Sequence, residues 1–245
     1  MRREEDHAIG AATVLRDRDA RLYLGGVIVS GFGDSAMSLV AGIWVKTLTG
    51  SNGLAALVGF CVWLPTLVGP AIGAVADRVR RRTLLVGTDL TLAAVLTAPL
   101  AVRSEGRIWI LFAVLTLVGA GTVLIDAAET ALIAATVPAG LRGDFNGLVL
   151  SAIESTKLLA PAAGAGLFTL LGGPAVALLD AVTFALAAGA FAMTRVREHV
   201  PAPRGEAGWR AATVEGARFL WRHRQPRDRP RPALPAHRGA HRHSG

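Results

Sequence analysis

Apolar residues in this chain gather in long unbroken blocks rather than alternating or recurring once per helical turn. Six blocks run about 22–46, 54–76, 83–102, 108–136, 145–171 and 174–194, each bounded by Gly, Pro, Asn or charge. A helix that crosses the hydrocarbon layer needs about 20 apolar residues. The pattern therefore predicts an all-α membrane protein with six transmembrane helices, preceded by a polar segment at 1–21.

The charges between the blocks predict an orientation. Arg2, Arg3, Arg16, Arg18 and Arg21 precede the first block, and a cluster from Arg78 to Arg82 follows the second. Arg142 follows the fourth block, and Arg195 and Arg197 follow the sixth. The alternate loops hold only Lys46, Arg103 and Arg107. Because basic residues concentrate on the cytoplasmic side, both termini are expected in the cytoplasm. Tyr23, Trp44 and Trp109 fall near block ends, where amphipathic rings favour the interface.

The chain also repeats itself at an offset of 91. Leu67-Val-Gly-Pro70-Ala71-Ile-Gly73-Ala74 aligns with Leu158-Leu-Ala-Pro161-Ala162-Ala-Gly164-Ala165, and Asp89 aligns with Asp180. Three spans separate the copies, so they cross the membrane in opposite directions. An inverted three-plus-three repeat is a recurring device of secondary transporters.

Composition supports the membrane reading. The chain is 52% hydrophobic and only 18% charged, against about 25% charged in soluble domains. The net charge of +8 sits at the two ends and in one loop, so it favours topology over nucleic-acid binding. Arginine without aromatic stacking partners reads only charge. Cys61 is the sole cysteine and lies within an apolar block, which excludes a disulfide framework. The first 21 residues mix charges of both signs ahead of a long apolar run, unlike a cleavable signal peptide.

Past the last block, residues 195–222 place Trp209, Val214, Phe219, Leu220 and Trp221 among Arg210, Arg218 and Arg222. This composition predicts an amphipathic helix on the inner surface. Residues 223–245 are Arg, His and Pro with scattered Ala, and are expected to be disordered.

The stretch Gly73-x-Val75-x-Asp77-Arg78-x-Arg80-Arg81-Arg82 closely resembles the signature loop between the second and third spans of the major facilitator superfamily. Leu15-Arg16, Gly33-Asp34, Leu48-Thr49-Gly50-Ser51, Val137-Pro138, Asn146 and Ala160-Pro161-x-x-Gly164 are similar to the opening half of its multidrug and macrolide-type exporters. The resemblance covers roughly residues 15–222. It implies proton-coupled export of small molecules by alternating access. It also implies a gating contact of Asp77 and Arg78 with a second half.

The chain departs from that pattern in three places. Ala160 and Ala165 stand where the exporters' bend motif carries glycine, and Arg80 replaces a more usual glycine in the loop. Family members have twelve spans in two halves, and this chain supplies the N-terminal one. After Phe219-Leu220-Trp221-Arg222-His223 it turns basic and proline-rich instead of entering a seventh span. A frameshift near codon 223 accounts for that break, with a natural basic tail as the alternative. A truncated, non-transporting fragment or interaction subunit is the rival function.

Ionisable groups inside spans each cost about 2.5–3.5 kcal/mol to insert and are functional candidates for that reason. Asp34 lies about 18 Å along the first helix from Leu22 at 1.5 Å per residue. It is a candidate for proton coupling or contact with a cationic substrate, or else a structural acceptor. Asp126 and Glu129 lie three apart on one face of the fourth span, as a proton-carrying pair or a solvated one. Glu154 and Lys157 have the same spacing in the fifth span, as an internal ion pair or one that a charged substrate opens. Asp89 and Asp180, near span ends, read as structural caps.

In the signature loop, Gly73, Asp77, Arg78, Arg81 and Arg82 are the gating candidates, although positive-inside topology alone explains much of the arginine. Pro161 and Gly164 form the helix-bend motif, and ordinary close packing is the simplest role for the small residues. All six histidines lie outside the spans, so neither an intramembrane metal cluster nor a histidine base is expected. No phosphate-cradling Gly-x-x-x-x-Gly-Lys is present, which argues against direct use of ATP. The expected partners are the lipid bilayer, a small-molecule substrate, protons and a second six-span half or another copy. No enzyme activity, cofactor or nucleic-acid partner is expected, and the expected location is the bacterial inner membrane.

Overall fold

The computed structural model describes residues 17–76, 79–136 and 142–195. The linker expected at 195–222, apart from Arg195, and the tail expected at 223–245 lie outside them. Among the described residues every element is helical: α1 (Arg18–Thr49), α2 (Asn52–Trp63), α3 (Gly69–Ala76), α4 (Arg81–Val95), α5 (Ile108–Thr136), α6 (Arg142–Leu171) and α7 (Gly173–Ala192). Short 3₁₀ turns fill Leu64–Val68, Ala98–Ala101 and Glu105–Arg107.

Among the described residues, five stretches are long and apolar enough to cross a membrane: Arg18–Thr49, Asn52–Gly73, Arg81–Ala101, Glu105–Thr130 and Gly173–Ala192. Helix α6 is 30 residues long. It carries Arg142, Asp144, Glu154 and Lys157 and is not among those five stretches.

Local sequence accounts for the helix ends and breaks. Asp17 caps α1 through its carboxylate, which accepts from the Asp19 N–H at 3.1 Å. The helix ends on Gly50 at φ 68°, a left-handed position glycine adopts without strain. The second apolar block is not one continuous α-helix. Pro65 and Pro70 each lack a backbone donor, and between them the chain tightens into the 3₁₀ turn Leu64–Val68. Thr66 Oγ1 donates to the Trp63 carbonyl there at 2.6 Å. Pro99 similarly begins a 3₁₀ turn after α4.

Glycines set the helix crossings. Along α1, Gly26 meets Phe191, Gly33 meets Asp180 and Thr183, and Trp44 meets Gly173, so α1 and α7 run antiparallel. Gly31 meets Thr156 and Ala36 meets Gly164, so α1 and α6 run parallel. Val62 meets Gly119 and Gly69 meets Val123, which makes the α2–α3 arm parallel to α5. Helices α4 and α5 also pack together, as do α4 and α7.

Tyr23 and Trp44, expected at interfaces, are instead 4% exposed, and only Trp109, at 64%, stays on the surface. Small partners explain the difference for Trp44. Gly173 has no side chain, and the indole fills that space.

Two apolar clusters stack along the bundle. One gathers Tyr23, Leu24 and Val27 with Leu85, Phe145, Phe184 and Phe191. The other gathers Met37, Val40 and Trp44 with Cys61, Leu111 and Val176. Between them lies a polar level formed by Asp34, Thr156, Asp180 and Thr183. One end of the bundle is tied by two contacts. The Arg195 N–H donates to Asp19 Oδ2 at 3.2 Å. Arg82 donates to the Phe191 carbonyl at 3.3 Å and to that of Ala192. The start of α1, the start of α4 and the end of α7 therefore share that end.

Candidate functional site

The α1–α7 crossing leaves no room for a side chain at position 33. A Cβ there would stand 2.6 Å from Asp180 Oδ1 and 3.0 Å from Asp180 Cα, and would overlap Thr183 Oγ1. Glycine at this position lets the carboxyl of Asp34, the next residue, reach the polar level. Asp34 is half-buried and lies within electrostatic reach of both Asp180 and Asp126. Asp180 itself is 0% exposed. The Thr183 hydroxyl donates to its backbone carbonyl at 2.8 Å and lies 3.4 Å from its Oδ1. Its Oδ2 is buried without a partner.

A second acidic group lies one level away, where α1, α4 and α5 meet. Asp126 is exposed, and Glu129, one turn on, is half-buried. Glu129 is within reach of Asp126, of Asp89 on α4 and of the Tyr23 hydroxyl. Asp89 is 0% exposed, and neither of its carboxyl oxygens has a hydrogen-bond partner. The Tyr23 ring packs against Phe145 and Phe191, each at 5.8 Å between centroids. Its buried hydroxyl faces Glu129 without forming a well-made hydrogen bond.

The structure thus brings Asp34, Asp126 and Glu129 into one connected acidic region and adds Asp89, Asp180 and Tyr23 to it. Span-end position alone suggested capping for the two aspartates. The signal that could have singled them out is the repeat, which places both at the same offset.

Glu154 and Lys157 form their own pair on α6. Lys157 Nζ lies 2.7 Å from Glu154 Oε1, and each side chain is 56% exposed. The pair is therefore on the surface of the bundle rather than internal, between turns that also expose Leu150, Leu158 and Leu159. Pro161 sits within α6 and cannot donate to the Lys157 carbonyl four residues earlier. A turn further on, a Cβ at Gly164 would come within 2.9 Å of Ala36 Cβ and 3.1 Å of its Cα, so the helix backbones touch there.

Of the signature-loop residues, Asp77 and Arg78 lie outside the described residues. Gly73 is near the end of α3, with nothing within 4 Å of the position a Cβ would take. Arg81 opens α4. Arg82 reaches across to cap the last carbonyls of α7, which lack partners within their own helix. Among the described residues, no three His, Cys, Asp or Glu side chains are grouped to hold a metal ion.

The family model for the Major Facilitator Superfamily matches residues 23–235. No curated protein and no solved structure matches the chain. That match spans nearly all of the described helices, including the acidic region, so the chain belongs to the major facilitator superfamily of membrane transporters.

Proposed function

We propose that the chain is a proton-coupled exporter of small molecules, built as six spans in an inverted three-plus-three repeat with both ends in the cytoplasm. The observation that carries this reading is the Glu154–Lys157 pair, with each side chain 56% exposed midway along a long helix of the bundle. Charged groups at that depth do not face lipid, and they characteristically border a water-filled cavity or another protein surface. Helix α6 counts as the fifth span on the same argument, because its charges turn to that cavity.

Helix packing supports the repeat. Exchanging the first span with the fourth, the second with the fifth and the third with the sixth carries α1–α7 onto α5–α4, and α1–α6 onto α5 with α2–α3. Gly33 approaches Thr183 closely, and Gly121 approaches Leu92, the residue one repeat offset before Thr183. Arginines at the tied end of the bundle support placing that end in the cytoplasm.

In this reading Asp34, Asp126, Glu129 and Glu154 border a cavity closed by a second six-helix unit. Alternating access moves substrate past them. Asp34 carries the coupling proton, and Gly73, Asp77, Arg78, Arg81 and Arg82 form the gate on the cytoplasmic side.

Flux in proteoliposomes tests the proposal, with the fluorescent cation ethidium as probe. The expected result is transport driven by an imposed proton gradient and lost in Asp34→Asn. Correctly inserted protein that moves none of a panel of cationic and neutral dyes at any pH would support the rival, a non-transporting membrane subunit.

A further inference from the structure

We propose that the unit closing the cavity is a second copy of this chain, docked α6 against α6 about a two-fold axis normal to the membrane. This rests on the transporter reading above and names the partner which that reading requires.

Helix α6 has one packed side and one open side. It lies against α1 and α7, burying Phe145, Val149, Thr156, Ala160 and Gly164. The opposite side exposes Gly143, Gly147, Ser151 and Ser155, which stand four residues apart and so stack on successive turns. Nothing lies within 4 Å of a Cβ at Gly143 or Gly147. Ser155 Oγ donates to the Ser151 carbonyl at 2.8 Å, so that hydroxyl is satisfied within its own helix. A row of small residues lets two helix backbones come close in a membrane. It does not choose which helix arrives.

Charge makes that choice. The Glu154–Lys157 pair borders the row, with Glu154 three residues after Ser151. Lys157 Nζ donates to Glu154 Oε1. An ammonium has three donors and a carboxylate two acceptor oxygens, so both groups keep capacity for an outside partner. An apolar surface laid over them would strip their water and return nothing. Helices α2 and α3 contain no ionisable residue, so that arm of another copy offers no such partner.

A second α6 does offer one. The arginine-rich loops orient every copy alike, so two α6 helices that meet in one membrane run parallel. A two-fold axis between them is the symmetry of the commonest dimers and puts like residues at like depth. Glu154 and Lys157 are offset by about 4.5 Å along the helix at 1.5 Å per residue. Glu154 of each copy therefore faces the partner's Lys157 within a lysine's reach, and the axis makes two such pairs from one. Residues 196–245 contain no apolar block of about 20 residues, so they do not supply the cover. The two pairs stand at the margin of the cavity, and rocking of the copies opens them to water on one side at a time.

Energy transfer between full chains in liposomes, labelled at the N-terminus with donor or acceptor dye, tests this. The wild type should associate as pairs. Glu154→Lys and Lys157→Glu should each weaken self-association about tenfold or more, because like charges then meet across the axis. A mixture of the two variants should associate again, since each supplies the charge the other lacks. That recovery also shows that both variants are folded. If either variant fails to insert, Ser151→Cys replaces them, and mild oxidation should link two copies through that position.

Wild-type copies that stay apart at every density overturn the proposal and leave the face to lipid or to a different six-helix unit. Self-association that both charge variants leave unchanged, or a mixture that does not recover, overturns it as well, as does an inserted Ser151→Cys chain that does not link. Dye flux separates this outcome from the transporter reading. Flux by chains that do not associate removes only the second copy, and association without flux removes only transport.

Discussion

Gly33 of α1 lies against Asp180 of α7 so closely that its Cα hydrogen occupies the only space available, with 2.6 Å between an added Cβ and Asp180 Oδ1. The backbone of α7 is part of that wall, since Asp180 Cα would stand 3.0 Å away. Gly33→Val should therefore push the two helices apart, destabilising the protein by about 1–3 kcal/mol as overpacked cores do. Thermal denaturation in detergent micelles measures the loss. Gly166→Val, where nothing lies within 4 Å, serves as the comparison and should leave the midpoint near the wild-type value.

Gly73 gives the opposite expectation. Nothing lies within 4 Å of a Cβ at that position, so Gly73→Ala should change stability by no more than about 0.5 kcal/mol. If Gly73 belongs to the gate, the same substitution should slow dye flux while the denaturation midpoint stays fixed. Equal loss of flux and stability would mean that the residue serves packing alone.

How far the sequence could be read shows in these residues. The apolar blocks and their flanking charges locate the long helices because lipid imposes a length and a polarity that a one-dimensional pattern records. Glu154 and Lys157 could be paired from spacing alone, since residues three apart share a helix face. Their exposure could not be read, because it depends on how α6 packs against α1. The 3₁₀ turn at Leu64–Val68 was signalled by Pro65 and Pro70, but the hydropathy of the block masked it. Asp89 and Asp180 looked like caps because they sit near span ends. Their burial follows from Gly33 and Gly121, which draw neighbouring helices close and are ordinary small residues in the sequence.

Water should reach the Glu154–Lys157 pair within the membrane. Glu154→Cys should react with a membrane-impermeant thiol reagent applied to inverted vesicles, because the side chain is 56% exposed on the face assigned to the cavity. The wild-type chain is its own control, as its one cysteine, Cys61, is buried. Failure of Glu154→Cys to react on either side of the membrane would place that face against lipid or protein.

Arg82 ties the loop side of α4 to the end of α7 by donating to the carbonyls of Phe191 and Ala192. Replacing it with Met keeps the apolar stem but removes both charged donors. Hydrogen bonds from charged groups contribute about 1.5–3 kcal/mol each at most, and this partly exposed site should show the lower end of that range. Arg82→Lys should recover only part of the loss, since a point charge cannot reproduce the guanidinium's fork. Chemical denaturation of the three proteins ranks them, and equal stability would remove the cap from the account.

The central claim is that Asp34 couples proton movement to transport, and the most direct test records the proton itself. Vesicles containing the protein and loaded with the pH indicator pyranine receive ethidium on one side with no gradient imposed. The account predicts a change in internal pH that follows dye movement and is absent in Asp34→Asn. Dye movement with no accompanying pH change, or a pH change that Asp34→Asn leaves intact, would contradict it.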